Sequence, residues 1–148
     1  MNISKYPLKA GDNFTTYEFL SEGPNGKIVK LIQFTRTNDK DVYNLAFGDH
    51  DGKTGKIDDM TISNNGDSEM VLATVVSAVY VFTDINPDSW IYATGSTKSR
   101  TRLYRMGISK YLNDVKNDFE VFGQIKKSWE SFVKGKEYEA FLITRKKQ

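Results

Sequence analysis

The segment Lys98–Arg105 concentrates positive charge at the predicted start of a helix. It contains four cations and no acidic residue, and it follows a predicted strand, Trp90–Thr94, and a turn at Gly95. The N-terminus of a helix carries about half a positive charge, so cations there cost roughly 0.3–1 kcal/mol each and anions are attracted. We therefore predict an anion-binding site at this strand–turn–helix junction. Its predicted residues are Thr97, Lys98, Arg100 and Arg102.

Arg100 is the residue we expect to matter most at this junction. It lies three and four residues before Leu103 and Tyr104, so helical spacing places it near the apolar stripe of its helix. A guanidinium is costly to bury without a partner. Two interpretations stay open. Arg100 binds a phosphate, a carboxylate or a nucleic-acid backbone, or it pairs with an acidic residue of the long loop at 49–65 while the other cations stay solvated.

The acidic part of that loop does not form a recognisable metal site. Asp49, Asp51 and Gly52 are spaced as in a calcium loop, but the first ligand position would be Phe47 and no glutamate closes the loop. His50 is the only histidine, the chain has no cysteine, and no nucleophile-elbow motif is present. We therefore predict no metal site and no triad built on His50.

Periodicity and turn signals predict an order of elements in which strands predominate. The predicted strands are 14–20, 27–37, 41–48, a short one within 57–62, 90–94, 119–125 and 138–144. The predicted helices are 67–85, 97–114 and a short one within 126–134. The fold class is therefore predicted to be α+β, with a mixed, largely antiparallel sheet and two main helices.

The order strand, strand, strand, helix, strand, helix, strand over residues 27–125 resembles the core of the GCN5-related N-acetyltransferase fold. In that family a glycine loop opens the first core helix and holds the pyrophosphate of coenzyme A, and Gly66 stands at that place here. The family's second helix often ends its motif in Leu-Tyr, and Leu103-Tyr104 keep that pair. The resemblance implies acetyl-CoA as cofactor and Tyr104 as general acid. Asp67 and Glu69 depart from the pattern, because they would repel a pyrophosphate.

A second resemblance implies no activity. Four short stretches are similar to small uncharacterised bacterial and phage proteins: Gly66-Asp67, Leu72–Val75, Ser99-Arg100 and Leu103-Tyr104. Two functions therefore remain open, a binding or interaction protein for an anionic ligand or protein partner, and an N-acyltransferase or its inactive relative.

Composition limits the class of protein. The 148 residues fit a single domain, 1–148, with an irregular lead-in over 1–13 and a basic tail over 145–148. The net charge of +2 does not by itself indicate nucleic-acid binding. Because 13% of the residues are aromatic, a stacking platform for single-stranded nucleic acid remains an alternative. No apolar run approaches the roughly 20 residues that span a bilayer. We therefore expect a soluble, cytoplasmic protein with no membrane segment.

Overall fold

Residues 4–11, 13–54, 57–58, 65–95 and 97–147 are described by a computed structural model of the chain. They form nine strands and three helices. The strands are β1 Lys9–Ala10, β2 Thr16–Gly23, β3 Gly26–Arg36, β4 Val42–His50, β5 Ile57–Asp58, β6 Trp90–Ala93, β7 Phe119–Ile125, β8 Ser128–Ser131 and β9 Ala140–Arg145. The helices are α1 Ser68–Ile85, α2 Lys98–Lys110 and α3 Leu112–Asp118.

The strands make one mixed sheet, which confirms the predicted α+β class. Eight strands follow each other in the order β1-β2-β3-β4-β6-β9-β7-β8, and β5 pairs with the end of β4. The pair β4–β6 is parallel, and the other pairs are antiparallel. β9 lies between β6 and β7, so it joins two parts of the sheet that both precede it in the sequence.

All three helices lie against one face of the sheet. Phe82 of α1 stacks on Phe34 of β3 with ring centres 4.2 Å apart, and Tyr80 meets Phe119 of β7 edge to face. Gly107 of α2 packs against Leu72 of α1, and the Tyr80 hydroxyl of α1 donates to Asp118 at the end of α3. The apolar side chains between these helices and the sheet form the core.

Helix α1 is a core element. Its 18 residues are apolar enough to meet the length and composition criteria for a membrane-crossing helix, but half of that span is buried inside the domain. The apolar positions recur at helical spacing, and Val71, Val75 and Phe82 are all buried against the sheet or α2. The predicted helix 67–85 is thus confirmed as an interior helix.

The predicted short helix within 126–134 is wrong, because this segment forms β8. Lys126 and Lys127 make a two-residue turn with φ of 50° and 66°, and β8 then pairs antiparallel with β7. Two consecutive residues with positive φ are characteristic of the tight hairpin turns that match the twist of paired strands. The sequence carries no glycine or asparagine at this turn, so the usual hairpin signal is missing.

Several other boundaries differ from prediction: β2 and β9 each begin two residues later than predicted, and β4 extends two residues further, to His50. The predicted helix 97–114 is divided at Tyr111, whose backbone (φ −105°, ψ 16°) separates α2 from α3. The lead-in over 1–13 contains the short strand β1, which pairs with β2. The basic tail begins one residue later than predicted, because Arg145 belongs to β9 and is held between the rings of Tyr80 and Phe119.

Candidate functional site

The site is organised by the point where the two parallel strands separate. β4 and β6 pair from Val42–Trp90 to Leu45–Ala93, after which β6 ends and β4 continues to His50. A cleft of about 220 Å³ opens there. We call it the splay cleft. Its walls are residues 44–46 of β4, the turn residues Thr94 and Gly95, and the side chains of Arg100 and Tyr104 from α2.

Arg100 is buried, as its predicted place near the apolar stripe required. Its residue is 5% exposed, and its guanidinium carbon lies 4.8 Å from the centre of the Phe47 ring. A guanidinium over an aromatic face is attracted by the ring electrons. Arg100 has further interactions besides this contact. The positive charge is thereby fixed in the wall of the splay cleft.

The start of α2 is held by hydroxyl groups. Thr97 is the N-cap, and its Oγ1 accepts a hydrogen bond from the Arg100 N–H at 3.1 Å. Thr101 Oγ1 accepts from the Gly95 N–H at 2.9 Å, so that amide is already used and does not contribute to an anion cradle. The first turn of α2 contains no acidic residue, so its positive end is not compensated within the helix itself.

Three of the four predicted site residues line another cleft. Lys98 and Arg102 are exposed and line a groove of about 580 Å³ together with Thr97 and the segment 137–139. We call it the helix-start groove. Carboxylates share this groove: Arg105 lies 3.6 Å from the exposed Glu137. The predicted four-residue cluster is therefore divided, with Arg100 in the splay cleft and Lys98 and Arg102 beside acidic groups.

Tyr138, in the wall of the helix-start groove, is a fixed neutral group. Its hydroxyl donates to Glu130 Oε2 at 2.9 Å and accepts from the Val133 N–H. Burial raises the pKa of Tyr138 above its ordinary value, so the hydroxyl keeps its proton at neutral pH. Hydrogen bonds from Lys136 first and from Tyr138 second lower the pKa of Glu130. These hydrogen bonds fix the position of the Tyr138 hydroxyl in this wall of the groove.

Tyr104 lies in the splay cleft, one helical turn after Arg100. It is 7% exposed and shares the cleft wall with that arginine. The i, i+4 spacing places the two side chains on the same face of α2. The sequence-based prediction named both residues but for different functions, and the structure brings them together.

Gly66 lies at the start of α1, where the hairpin between β2 and β3 packs against it. Its φ is +71°, and an added Cβ would lie 3.5 Å from Pro24. Next to it, Asp67 Oδ2 accepts hydrogen bonds from the Tyr6 hydroxyl at 2.6 Å and from Ser21 Oγ at 2.5 Å. A carboxylate held at this helix start disfavours the binding of a pyrophosphate there. Residues 63 and 64 of the predicted glycine loop lie outside the described residues.

A buried ion pair lies beside the site and was not predicted from the sequence. Lys30 of β3 is 5% exposed, and its Nζ lies 2.5 Å from Oδ1 of Asp49, directly opposite on β4. The Lys30 amine is also 5.8 Å from the centre of the Phe47 ring, which Arg100 contacts as well. The signal was available, because Lys30 shares a strand face with the apolar Ile32 and Phe34. Asp49 had been treated only as part of an acidic loop.

His50 lines neither the splay cleft nor the helix-start groove. His50 is exposed at the end of β4 and pairs with Ile57 of β5. Among the residues that the structure describes, no group of three or more His, Asp or Glu side chains could hold a metal ion. The acidic residue at position 59 lies outside the described ranges.

Comparison with known proteins gives one match. Residues 2–146 match the family whose description reads "Family of unknown function (DUF6934)". No curated protein and no solved structure matches the chain significantly. The match covers almost the whole sequence and carries no activity with it.

Proposed function

Because the chain belongs to the DUF6934 family, whose function is unknown, we propose its function from the splay cleft alone: the protein binds a small anionic group there. The group is a carboxylate or a phosphate, and Arg100 is its main contact. The observation that carries this proposal is the position of Arg100, a buried guanidinium in the wall of a cleft beyond the ends of two parallel strands.

The location supports ligand binding on general grounds. In sheets with parallel strands, ligands bind in crevices outside the carboxyl ends of the strands. The β4–β6 pair is the parallel pair of this sheet, and the splay cleft lies beyond the end of β6. Arg100 lies in the first turn of α2, so the positive end of this helix is close to the same place and adds to the positive potential.

The chemistry of the wall fits a small anion. A guanidinium stays charged at any physiological pH and presents several N–H donors in a plane, which matches the oxygens of a carboxylate or phosphate. Asn44, Thr94 and Tyr104 also line the cleft and carry polar groups. A volume of about 220 Å³ is below the roughly 300–1,000 Å³ of sites for drug-sized ligands. The cleft therefore suits a small ion or the acidic end of a larger ligand.

The test is a thermal-shift titration with inorganic phosphate, acetate and succinate at constant ionic strength, alongside a short single-stranded oligonucleotide. A ligand at 100 times its dissociation constant adds about 2.7 kcal/mol, which raises the Tm of a domain of this size by roughly 5–10 °C. We expect a shift with at least one of the small anions and its loss in Arg100→Gln.

Two variants serve as controls. Arg36→Gln removes an exposed arginine that also lies over an aromatic ring, Tyr43, far along β3, and it should keep the full shift. Arg102→Gln tests the helix-start groove and should keep most of it. Equal shifts in Arg100→Gln and the wild type, or no shift at all with the small anions, would disprove the proposal.

A second candidate function is an acyl-CoA-dependent N-acyltransferase. One observation favours it: Tyr104, the residue that the resemblance names as general acid, lines the cleft between the separating strands. The hydrogen-bonded Asp67 at the start of α1 argues against a coenzyme A pyrophosphate at Gly66. Under this alternative, acetyl-CoA should raise the Tm, Gly66→Glu should abolish that shift, and Tyr104→Phe should abolish acetyl transfer without abolishing binding.

The cytoplasmic location also belongs to the proposal. The sequence has no cysteine and therefore no disulfide that would need an oxidising compartment, which is compatible with the cytoplasm. Fractionation of cells that express the untagged protein would test it, and recovery with the membrane fraction would contradict it.

A further inference from the structure

The sheet has one face that no described helix covers. Phe34, Tyr43 and Phe47 face the helices, since they contact Phe82 or Arg100. The residues that alternate with the helix-facing ones along each strand therefore point to the other side. We call this other side the open face.

The open face carries an aromatic cluster. Trp90 and Tyr92 of β6 flank Ile91, which is fully buried under the helices, so both project to the open face. Trp90 lies 6.1 Å from Phe122, and Tyr92 lies 6.2 Å from Trp129, as measured between ring centres. These four rings come from β6, β7 and β8 and form one continuous patch across the β9 strand between them.

Exposed apolar residues also lie on the other half of the open face, apart from the aromatic cluster. Leu20 of β2 and Val29 of β3 are cross-strand partners and are each 37% exposed, and Trp129 is 39% exposed. β6 and β9 carry apolar side chains on both faces, as strands do when both sides of a sheet are covered. The described helices cover only one side of these strands. The apolar side chains on the other side are therefore suited to contact with a second layer of protein.

We propose that the open face is a dimer interface and that its occupant is a second copy of this chain. The centre of the face, on β4, β6 and β9, presents Asn44, Ala46, Tyr92 and Leu142 without a charged side chain. Interface cores are depleted in charge and enriched in aromatic residues in this way.

The margins of the open face make it self-complementary. On the β2–β3 side, Glu18 and Lys27 project to this face. On the β7–β8 side, Glu120 projects to it, and Lys127 is exposed in the turn that joins the two strands. Both margins therefore carry both signs of charge. When two copies are related by a two-fold axis, a positive side chain of one copy can lie opposite a negative side chain of the other, and no like charges meet at the centre of the interface. The open face has no excess of one sign of charge that would attract a strongly acidic or strongly basic partner.

The size of the face is sufficient for a stable dimer. Eight strands in a row have seven spacings of about 4.8 Å, which make a face about 34 Å wide. The strands differ in length, from two residues in β1 to 11 in β3, and at roughly 3.3 Å along the strand and 4.8 Å across it the eight strands together cover about 800 Å². A standard interface needs about 800 Å² on each partner, so a dimer of this kind would use most of the face.

The test is the mass in solution, measured by sedimentation velocity and by light scattering over a dilution series of the full chain. We expect the wild type to behave as a dimer that dissociates on dilution. Trp129→Asp should weaken dimerisation at least tenfold, and Val29→Lys, on the other half of the face, should do the same. Both positions are partly exposed, so neither change needs to disturb the fold.

The matched control is Ile85→Asp, which places a charge on an exposed apolar position at the end of α1. It should leave the dimer intact. The two tryptophans of the sequence, Trp90 and Trp129, both lie on the open face, so their emission should shift to the red as the dimer dissociates. A monomer at every concentration, whether or not another protein binds the face, would overturn the proposal. So would a dimer that survives both open-face variants or is lost in Ile85→Asp.

Discussion

Gly95 is the residue on which the geometry of the splay cleft depends most directly. An added Cβ would lie 2.4 Å from the Thr101 N and 2.5 Å from the Arg100 Cβ. The nearest of these is a backbone atom of α2, which cannot move aside alone. We therefore expect Gly95→Ala to displace the start of α2 and to destabilise the protein by roughly 1–3 kcal/mol, as measured by urea denaturation.

The control for this change is Gly52→Ala. Nothing lies within 4 Å of an added Cβ at Gly52, so this variant should unfold at the wild-type urea concentration. If both variants had the same midpoint, the close approach between the turn and α2 would not limit the site. Because Gly95 positions Arg100 and does not itself present a charge, Gly95→Ala should also weaken phosphate or carboxylate binding.

The place of Arg100 could be predicted from the sequence, but the surroundings of its neighbours only in part. The spacing of Arg100 from Leu103 and Tyr104 was sufficient to predict that it lies near the apolar stripe of its helix, since helical periodicity is a local property. Its role in anion binding stays a prediction. That Lys98 and Arg102 face the helix-start groove beside Glu137 depends on the segment before β9, which is distant in sequence. Charge patterns along one helix cannot reveal which carboxylates another segment brings to them.

The β7–β8 hairpin gives a prediction at the level of the element. Lys127 has a φ of 66°, a conformation that costs about 1 kcal/mol more for a side chain than for glycine. We therefore expect Lys127→Gly to stabilise the protein by about 1 kcal/mol and to raise its Tm by roughly 2–4 °C. A calorimetric melt measures this directly.

The comparison for this prediction is Lys134→Gly. Lys134 is also an exposed turn lysine, but its φ is not positive. Glycine there should lower the Tm or leave it unchanged, because it only adds freedom to the unfolded chain. A lower Tm for Lys127→Gly would mean that the turn does not have the backbone described here.

Elements with strong local signals were predicted well. Helix 67–85 corresponds to α1, and strand 119–125 corresponds to β7. β8 was mistaken for a helix because four residues are too few for periodicity to separate the two, and because the turn lacks glycine and asparagine. The break at Tyr111 was missed for a related reason: the apolar stripe continues through it, from Ile108 to Val115.

At the scale of the whole molecule, the position of β9 decides how the chain folds. β9 pairs with β6 on one side and β7 on the other. A chain that ends at Glu139 would lack the strand that joins the two parts of the sheet. We expect such a truncated chain to lose cooperative thermal unfolding, as followed by circular dichroism, and to give poorly dispersed amide signals in NMR spectra.

A truncation that removes only residues 147 and 148 is the matched control. It deletes the exposed pair between Lys147 and Asp88, and exposed pairs contribute at most about 1 kcal/mol. This shorter deletion should unfold cooperatively at nearly the wild-type temperature. Cooperative unfolding of the longer truncation would show that the two parts of the sheet are stable without their joining strand.

The order in which the strands pair could not be predicted from the sequence. Alternation and turn signals identify a strand and its hairpin neighbour, as for β2, β3 and β4. They do not reveal that the final strand lies between two earlier ones, because that choice is made by contacts between distant segments. The α+β class could therefore be predicted, but the splay cleft and the open face could not.

The insertion of β9 also has a consequence for synthesis. The ribosome makes β6 and β7 before the strand that lies between them, so each of the two strands carries an unpaired edge until β9 has emerged. At about 5–20 residues per second, the ribosome needs roughly 1–4 s to pass from the end of β7 to the end of β9. During that interval the open edges of the half-built sheet are sites at which a nascent chain can aggregate.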